Sequence, residues 1–243
     1  MQTKARLKFY NRVAHYEADI ELIDILSTAV QNKKISSDKF IFEGVTEKKH
    51  PRLANREPSI NNQVIAIGHL NNTVCASFIK DLYEDFSSYL LDIVKCCAKK
   101  GLSPERLIGE HRFDIDANKI LALGSWDAVV ALISESLFRK LENERSTKSL
   151  IKAIDKKLSL KIEESIYDGA MPYLDMRHIL VHRDGCIDKE FVENYPHLGF
   201  KQGSYIEGYK VTTKARTKIF ALLDHIDTKV IELGLVDTSD TTH

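Results

Sequence analysis

The chain has 243 residues, 43% of them hydrophobic and 29% charged, which is the composition of an ordinary globular protein with enough length to bury a sizeable core. Its 35 basic and 35 acidic side chains cancel, so no overall field draws it toward nucleic acid, and any RNA-handling surface must be local or completed by an oligomer interface. The first twenty-odd residues carry no signal-type apolar run, and no stretch reaches the roughly 18 apolar residues of a membrane span. Cys75, Cys96, Cys97 and Cys186 lack the CxxC spacing of zinc or redox sites, which fits reduced thiols in a cytoplasmic protein.

With only 5 prolines and 11 glycines, long helices are permitted. Residues 5–31 show helical apolar spacing through Ile20, Leu22, Ile23, Ile25 and Leu26. Residues 32–58 are polar, contain Pro51 and Pro58, and read as a long connection that allows a short strand at Phe40, Ile41 and Phe42. That places a boundary near residue 58, between an N-terminal helical extension with its linker (1–58) and a helical domain (59–235), followed by a flexible tail (236–243). Residues 60–100 read as helix, in one long piece from Asn72, because Phe78, Leu82, Phe86, Tyr89, Leu90 and Ile93 share a face.

Gly101 is placed to stop that helix. Ser103-Pro104-Glu105 opens a short one, and Ser125 caps another that runs to about Glu142. Ser146 or Thr147 starts a helix through about Leu158. Residues 162–182 have a helical pattern interrupted by Gly169 and Pro172, where a break or kink is expected, with Gly185 as the stop. Residues 186–210 read as mostly irregular, and a last helix runs from about Thr212 to Gly234 on Ile219, Leu222, Leu223, Ile226 and Val230. Nothing alternates like a strand for long, so the expected fold class is all-α, an antiparallel helical bundle. Trp126 and the Phe and Leu stripes read as core.

One segment concentrates reactive side chains: Arg177, His178, His182, Arg183 and Asp184 crowd one helix end. His178 and His182, four apart, share a face. Arg177 and His182, five apart, lie about 140° round the helix from each other. These residue types suit metal-free RNA cleavage, in which the ribose 2′-hydroxyl attacks the adjacent phosphate. Histidine transfers protons near neutrality. Arginine stays protonated, so it cannot be the base, but it can hold the phosphate and stabilise charge in the transition state. Whether His182 acts as acid or base stays open.

Arg177, a polar residue, three apolar residues and then His182 resembles the RX4H motif of HEPN domains. Gly185-Cys186-Ile187-Asp188 resembles the run that follows the family's histidine, and the segment from Ser77 to Phe86 resembles its early helix with an aromatic and an acidic residue. The similarity covers roughly residues 70–233. It implies a bundle of HEPN type and a metal-independent, homodimeric endoribonuclease, without cofactor, that leaves 2′,3′-cyclic phosphate and 5′-hydroxyl ends. In the family the arginine and histidine are catalytic, which carries over to Arg177 and His182. His178 takes a supporting role and Glu84 or Asp85 lies nearby; apart from the resemblance, Arg183 and Asp184 read as a solvated turn in which Arg183 can contact RNA, with Glu84 supporting. The implied setting is bacterial phage defence or toxin–antitoxin function, with an antitoxin or defence-system protein as partner.

Plainer readings compete. Arg177 and His182 can be solvated charges at a surface helix end. His178 and His182 can share a metal, but no HExxH is present and only Asp175 or Asp184 offers a third ligand. His182-Arg183-Asp184 resembles a kinase catalytic loop, yet no Gly-rich phosphate loop and no DFG accompany it. The lysine pairs at 33–34, 48–49, 99–100 and 156–157 are interrupted by acids and read as solvated faces. His111 and Arg112 fall in a loop with nothing to assign them. A non-catalytic HEPN-like dimerisation and RNA- or protein-binding module is the rival reading, and a structural helical adaptor a more distant one.

Overall fold

A computed structural model describes residues 1–32, 40–109, 114–144 and 147–242. The lysines at 33–34, His111, Arg112 and Ser146 lie outside the described residues. The chain is predominantly helical, as its apolar periodicity requires: α1 (Lys4–Gln31), α2 (Pro51–Ala54), α3 (Ile60–Lys99), α4 (Pro104–Leu107), α5 (Ala117–Ala122), α6 (Trp126–Glu144), α7 (Thr147–Leu158), α8 (Glu164–His182), α9 (Lys189–Asn194) and α10 (Tyr209–Glu232). The described strands are the two-residue β1 (Gln2–Thr3) and β2 (Thr241–Thr242), paired antiparallel.

The chain divides into two compact units. The first comprises Met1–Val13, Asp81–His178 and Lys214–His243; the second comprises Ala14–Lys80 and Ile179–Thr213.

The first unit is built around the apolar stripe of α3. Leu82, Phe86, Tyr89, Leu90, Ile93 and Cys97 are buried, together with Leu137 and Phe138 of α6, Leu150, Ile151 and Ile154 of α7, and Ile219, Leu222, Leu223 and Ile226 of α10. Phe9 of α1 meets Phe220 edge-on, with ring centroids 5.2 Å apart. The start of α1 is also fixed by charge. Arg6 Nε donates to Asp224 at 2.8 Å, Lys8 pairs with Asp92 at 2.8 Å, and Arg12 pairs with Asp85 at 3.0 Å. The C-terminal residues, expected to fray, form a 3-10 turn (Thr238–Asp240) capped by Asp237 and then pair with β1.

In the second unit, Ile20, Ile23 and Val30 of α1, Phe42, Phe78 and Ile79 are buried, as are Ile179, Ile187, Phe191 and Ile206. Phe40–Phe42 lie in a turn rather than a strand. Phe42 is buried while Phe40 is 48% exposed, so one anchoring ring replaces the row of alternating residues a strand needs.

Several sequence expectations are corrected. Helix α3 is continuous from Ile60, twelve residues ahead of Asn72. Helix α8 passes through Gly169 and Pro172 without a break. An interior proline costs about 3 kcal/mol. Its neighbours Met171, Tyr173 and Leu174 are buried, and each large apolar side chain returns about 1.5–3 kcal/mol, which outweighs the loss. Trp126 is not core but 74% exposed. It opens α6, which has 19 residues against 12 in α7, the helix that packs on it. Residues 186–210 are mostly irregular, as read, but within them lie α9 and a 3-10 turn at Pro196–Leu198. Asp188 initiates α9 by accepting from the Phe191 N–H at 2.9 Å.

Candidate functional site

The candidate site is the C-terminal end of α8, whose last turns carry Arg177, His178 and His182 on one uninterrupted helix. Met176, Ile179 and Leu180 are buried, and His178, Val181 and His182 are exposed. Ile179 and Leu180 therefore anchor the motif by burial, while His178, Val181 and His182 face outward. Arg177 is intermediate in exposure.

Within the first unit, Arg177 is held by α3. Its Nη2 donates to Glu84 Oε1 at 3.1 Å, and the guanidinium carbon sits 5.2 Å from the centroid of the Tyr83 ring. Tyr83 is buried and Glu84 exposed, as expected for consecutive residues on a helix whose apolar stripe points inward. The Nε atom of Arg177 is buried without a hydrogen-bond partner. The arginine is thus held through one terminal nitrogen, over an aromatic face that favours a cation. Sequence reasoning placed Glu84 or Asp85 near the motif. Glu84 is the one that meets Arg177, whereas Asp85 faces Arg12.

The second unit holds the end of the motif. The helix closes through backbone bonds to the Ile179 carbonyl, from Arg183 N–H at 3.0 Å and Gly185 N–H at 3.1 Å. Asp184 and Gly185 both have positive φ, 51° and 79°. The chain then pairs with a distant loop: Ile206 N–H donates to Gly185 O at 2.9 Å, Ile187 N–H to Ser204 O at 2.8 Å, and Gly203 N–H to Ile187 O at 2.8 Å. Arg183, 59% exposed, lies 3.9 Å from Asp188, the cap of α9. This clamp between residues 185–187 and 203–206 escaped sequence reasoning. Gly199, Gly203 and Gly208 signalled turns, but a single bridge is too short to show alternation.

Among the described residues, no helix is long and apolar enough to cross a membrane, and no group of three or more His, Cys, Asp or Glu could hold a metal ion. Cys75, Cys96, Cys97 and Cys186 are free thiols. Burial pushes the thiol of Cys96 up to about 11 and that of Cys97 up to about 12, which keeps both protonated and unreactive at neutral pH. No protein-family model matches the chain, and no curated protein or solved structure is significantly similar to it.

Proposed function

We propose that the chain is a metal-independent endoribonuclease of HEPN type. The observation that carries the reading is the Arg-X4-His run itself, set in the last turns of a helix in a predominantly helical chain, with its arginine buttressed by Glu84 and Tyr83. Arg177 holds the scissile phosphate and stabilises the charge that builds on it. His182 transfers a proton between the 2′-hydroxyl, the leaving 5′-oxygen and water, and His178 positions one of these groups. Arg183 contacts the RNA backbone. The bond from phosphorus to the 5′-oxygen breaks as the 2′-oxygen attacks, leaving a 2′,3′-cyclic phosphate and a 5′-hydroxyl.

On one continuous helix Arg177 and His182 diverge by about 140°. We therefore take each chain to supply half of a site, completed in a homodimer by a second α8. The proposed setting is cytoplasmic, in phage defence or toxin–antitoxin function, with a regulatory protein as further partner. The test is incubation of purified protein with mixed RNA in EDTA. Cleavage by the wild type and its loss in His182→Ala are expected. Absence of cutting, or equal cutting by His182→Ala, overturns the reading.

One observation favours a second reading, a non-catalytic RNA- or protein-binding module: the Arg177 charge is already matched by Glu84. Growth on expression separates the two, because an active enzyme slows growth and Arg177→Ala relieves it.

A further inference from the structure

Tyr205 is 55% exposed, in a region where other rings pack on one another. Phe191 contacts both Tyr195 and Phe200, with centroids 5.0 and 6.2 Å apart. A singly exposed tyrosine is ordinary on a protein surface. The backbone beneath this one is not. Lys201 to Ser204 form a turn closed by Ser204 N–H to Lys201 O at 3.0 Å, with Gly203 at φ 80° where a type II turn needs a positive φ. Tyr205 itself bridges Cys186 in antiparallel fashion, between the bonds from Ile187 N–H to Ser204 O and from Ile206 N–H to Gly185 O. The ring is therefore mounted on a backbone locked to the residues that follow His182.

Geometry bounds how far the ring is from the motif. Bridge partners lie about 5 Å apart at Cα. The four residues from His182 to Cys186 span at most about 14 Å, so the two Cα atoms, of Tyr205 and His182, are within about 20 Å. The Gly185 N–H bond back to Ile179 folds that stretch and shortens the path. Tyr205 and His182 are both exposed, within a span that a few nucleotides of single strand can bridge. Exposed Lys201 at the head of the turn, and Arg183 at the helix end beside Asp188, are the cations of these two segments.

We propose that Tyr205 is a base-stacking platform for single-stranded RNA, gripping a nucleotide a short distance from the one cut at His182. The proposal rests on the ribonuclease reading and adds to it a residue that selects unpaired RNA. Stacking needs a π-face and no particular base edge, so the platform favours strandedness over sequence. A base in a duplex is already stacked on its neighbours and has no face to offer.

The test uses the full chain carrying His182→Ala, so that RNA stays intact, and short single-stranded RNAs with 2-aminopurine at successive positions. Stacking quenches that base. Quenching on binding is expected, lost in Tyr205→Ala and kept in Tyr205→Phe. Affinity for the single strand should fall about tenfold or more with alanine and change little with phenylalanine. Duplex RNA of the same sequence should be bound equally by all three. Unquenched 2-aminopurine at every position, alanine binding as tightly as tyrosine, or an equal loss on duplex would each overturn the platform. Cleavage by the chain with His182 intact is measured alongside. If it cuts while Tyr205→Ala binds normally, the platform alone fails; if it neither binds nor cuts RNA, the ribonuclease reading falls and the platform with it.

Discussion

Arg177 on α8 donates through Nη2 to Glu84 on α3 at 3.1 Å, so the arginine of the motif is held by an acid 93 residues away. Both side chains keep contact with solvent, at 35% and 58% exposure. A pair so placed adds less than about 1 kcal/mol to stability. Its consequence belongs to the proposed chemistry. Glu84 orients the guanidinium and also repels an incoming phosphate. Glu84→Gln should leave the melting temperature nearly unchanged, lower KM for RNA as the repulsion disappears, and lower kcat about 10-fold or more as the orientation loosens. Steady-state cleavage at several RNA concentrations checks the split. Unaltered KM and kcat would remove Glu84 from the site.

Substituting lysine for Arg177 keeps the charge but not the planar fork that matches a phosphate, and lysine has no Nε to bury beside Tyr83. Arg177→Lys should therefore retain RNA binding within a fewfold while cleavage falls toward the level of Arg177→Ala. His182→Ala should lose about 10²–10⁴-fold in rate, the range of a general acid or base. Single-turnover cleavage on saturating RNA separates these effects from binding. Full activity in Arg177→Lys would show that charge alone suffices.

Arg177, His178 and His182 were legible in the sequence as candidates because cations and imidazoles crowd one helix end, and their place on α8 follows from its helical period. The helices were visible too, since α3 and α10 carry apolar residues at helical period. What escaped was decided by packing. The burial of Met171, Tyr173 and Leu174 carries α8 through Pro172, and no local rule contains that term. Trp126 is exposed at the first turn of α6, and its residue type alone does not give that place. The clamp that mounts Tyr205 joins residues about 20 apart through three backbone bonds, and backbone bonds leave no mark on side-chain pattern.

The buried Asp227 side chain accepts from Thr3 N–H at 3.1 Å, from the Thr3 hydroxyl, and from the Tyr89 hydroxyl at 3.4 Å. Thr3→Val keeps the shape and removes the closest hydroxyl donor from a buried acid. It should cost about 1–3 kcal/mol. Tyr89→Phe removes only long contacts, of 3.4 Å to Asp227 and 3.4 Å to the Leu223 carbonyl, and should cost less than about 1 kcal/mol. Urea denaturation ranks the two, and the reverse order would mean that the tyrosine carries the network.

Asp85 makes stability depend on pH. Its side chain is 4% exposed, Oδ1 pairs with Arg12 at 3.0 Å, and Oδ2 is buried without a partner. Burial pushes its carboxyl above the usual range, helped by Asp81 and Glu84 and opposed by Arg12 and Lys8. The folded chain thus holds this proton to higher pH than the unfolded chain does. The stability contributed by Asp85 is complete below its unfolded pKa, near 3.9, and is lost as pH rises through the raised folded value. Removing Arg12 takes away the counter-charge only where Asp85 is ionised. Arg12→Ala should therefore destabilise by about 1–3 kcal/mol near pH 7.5, and by clearly less near pH 4. Urea melts at the two pH values make the comparison. An equal loss at both would mean that Arg12 acts through its alkyl chain and not through the charge of Asp85.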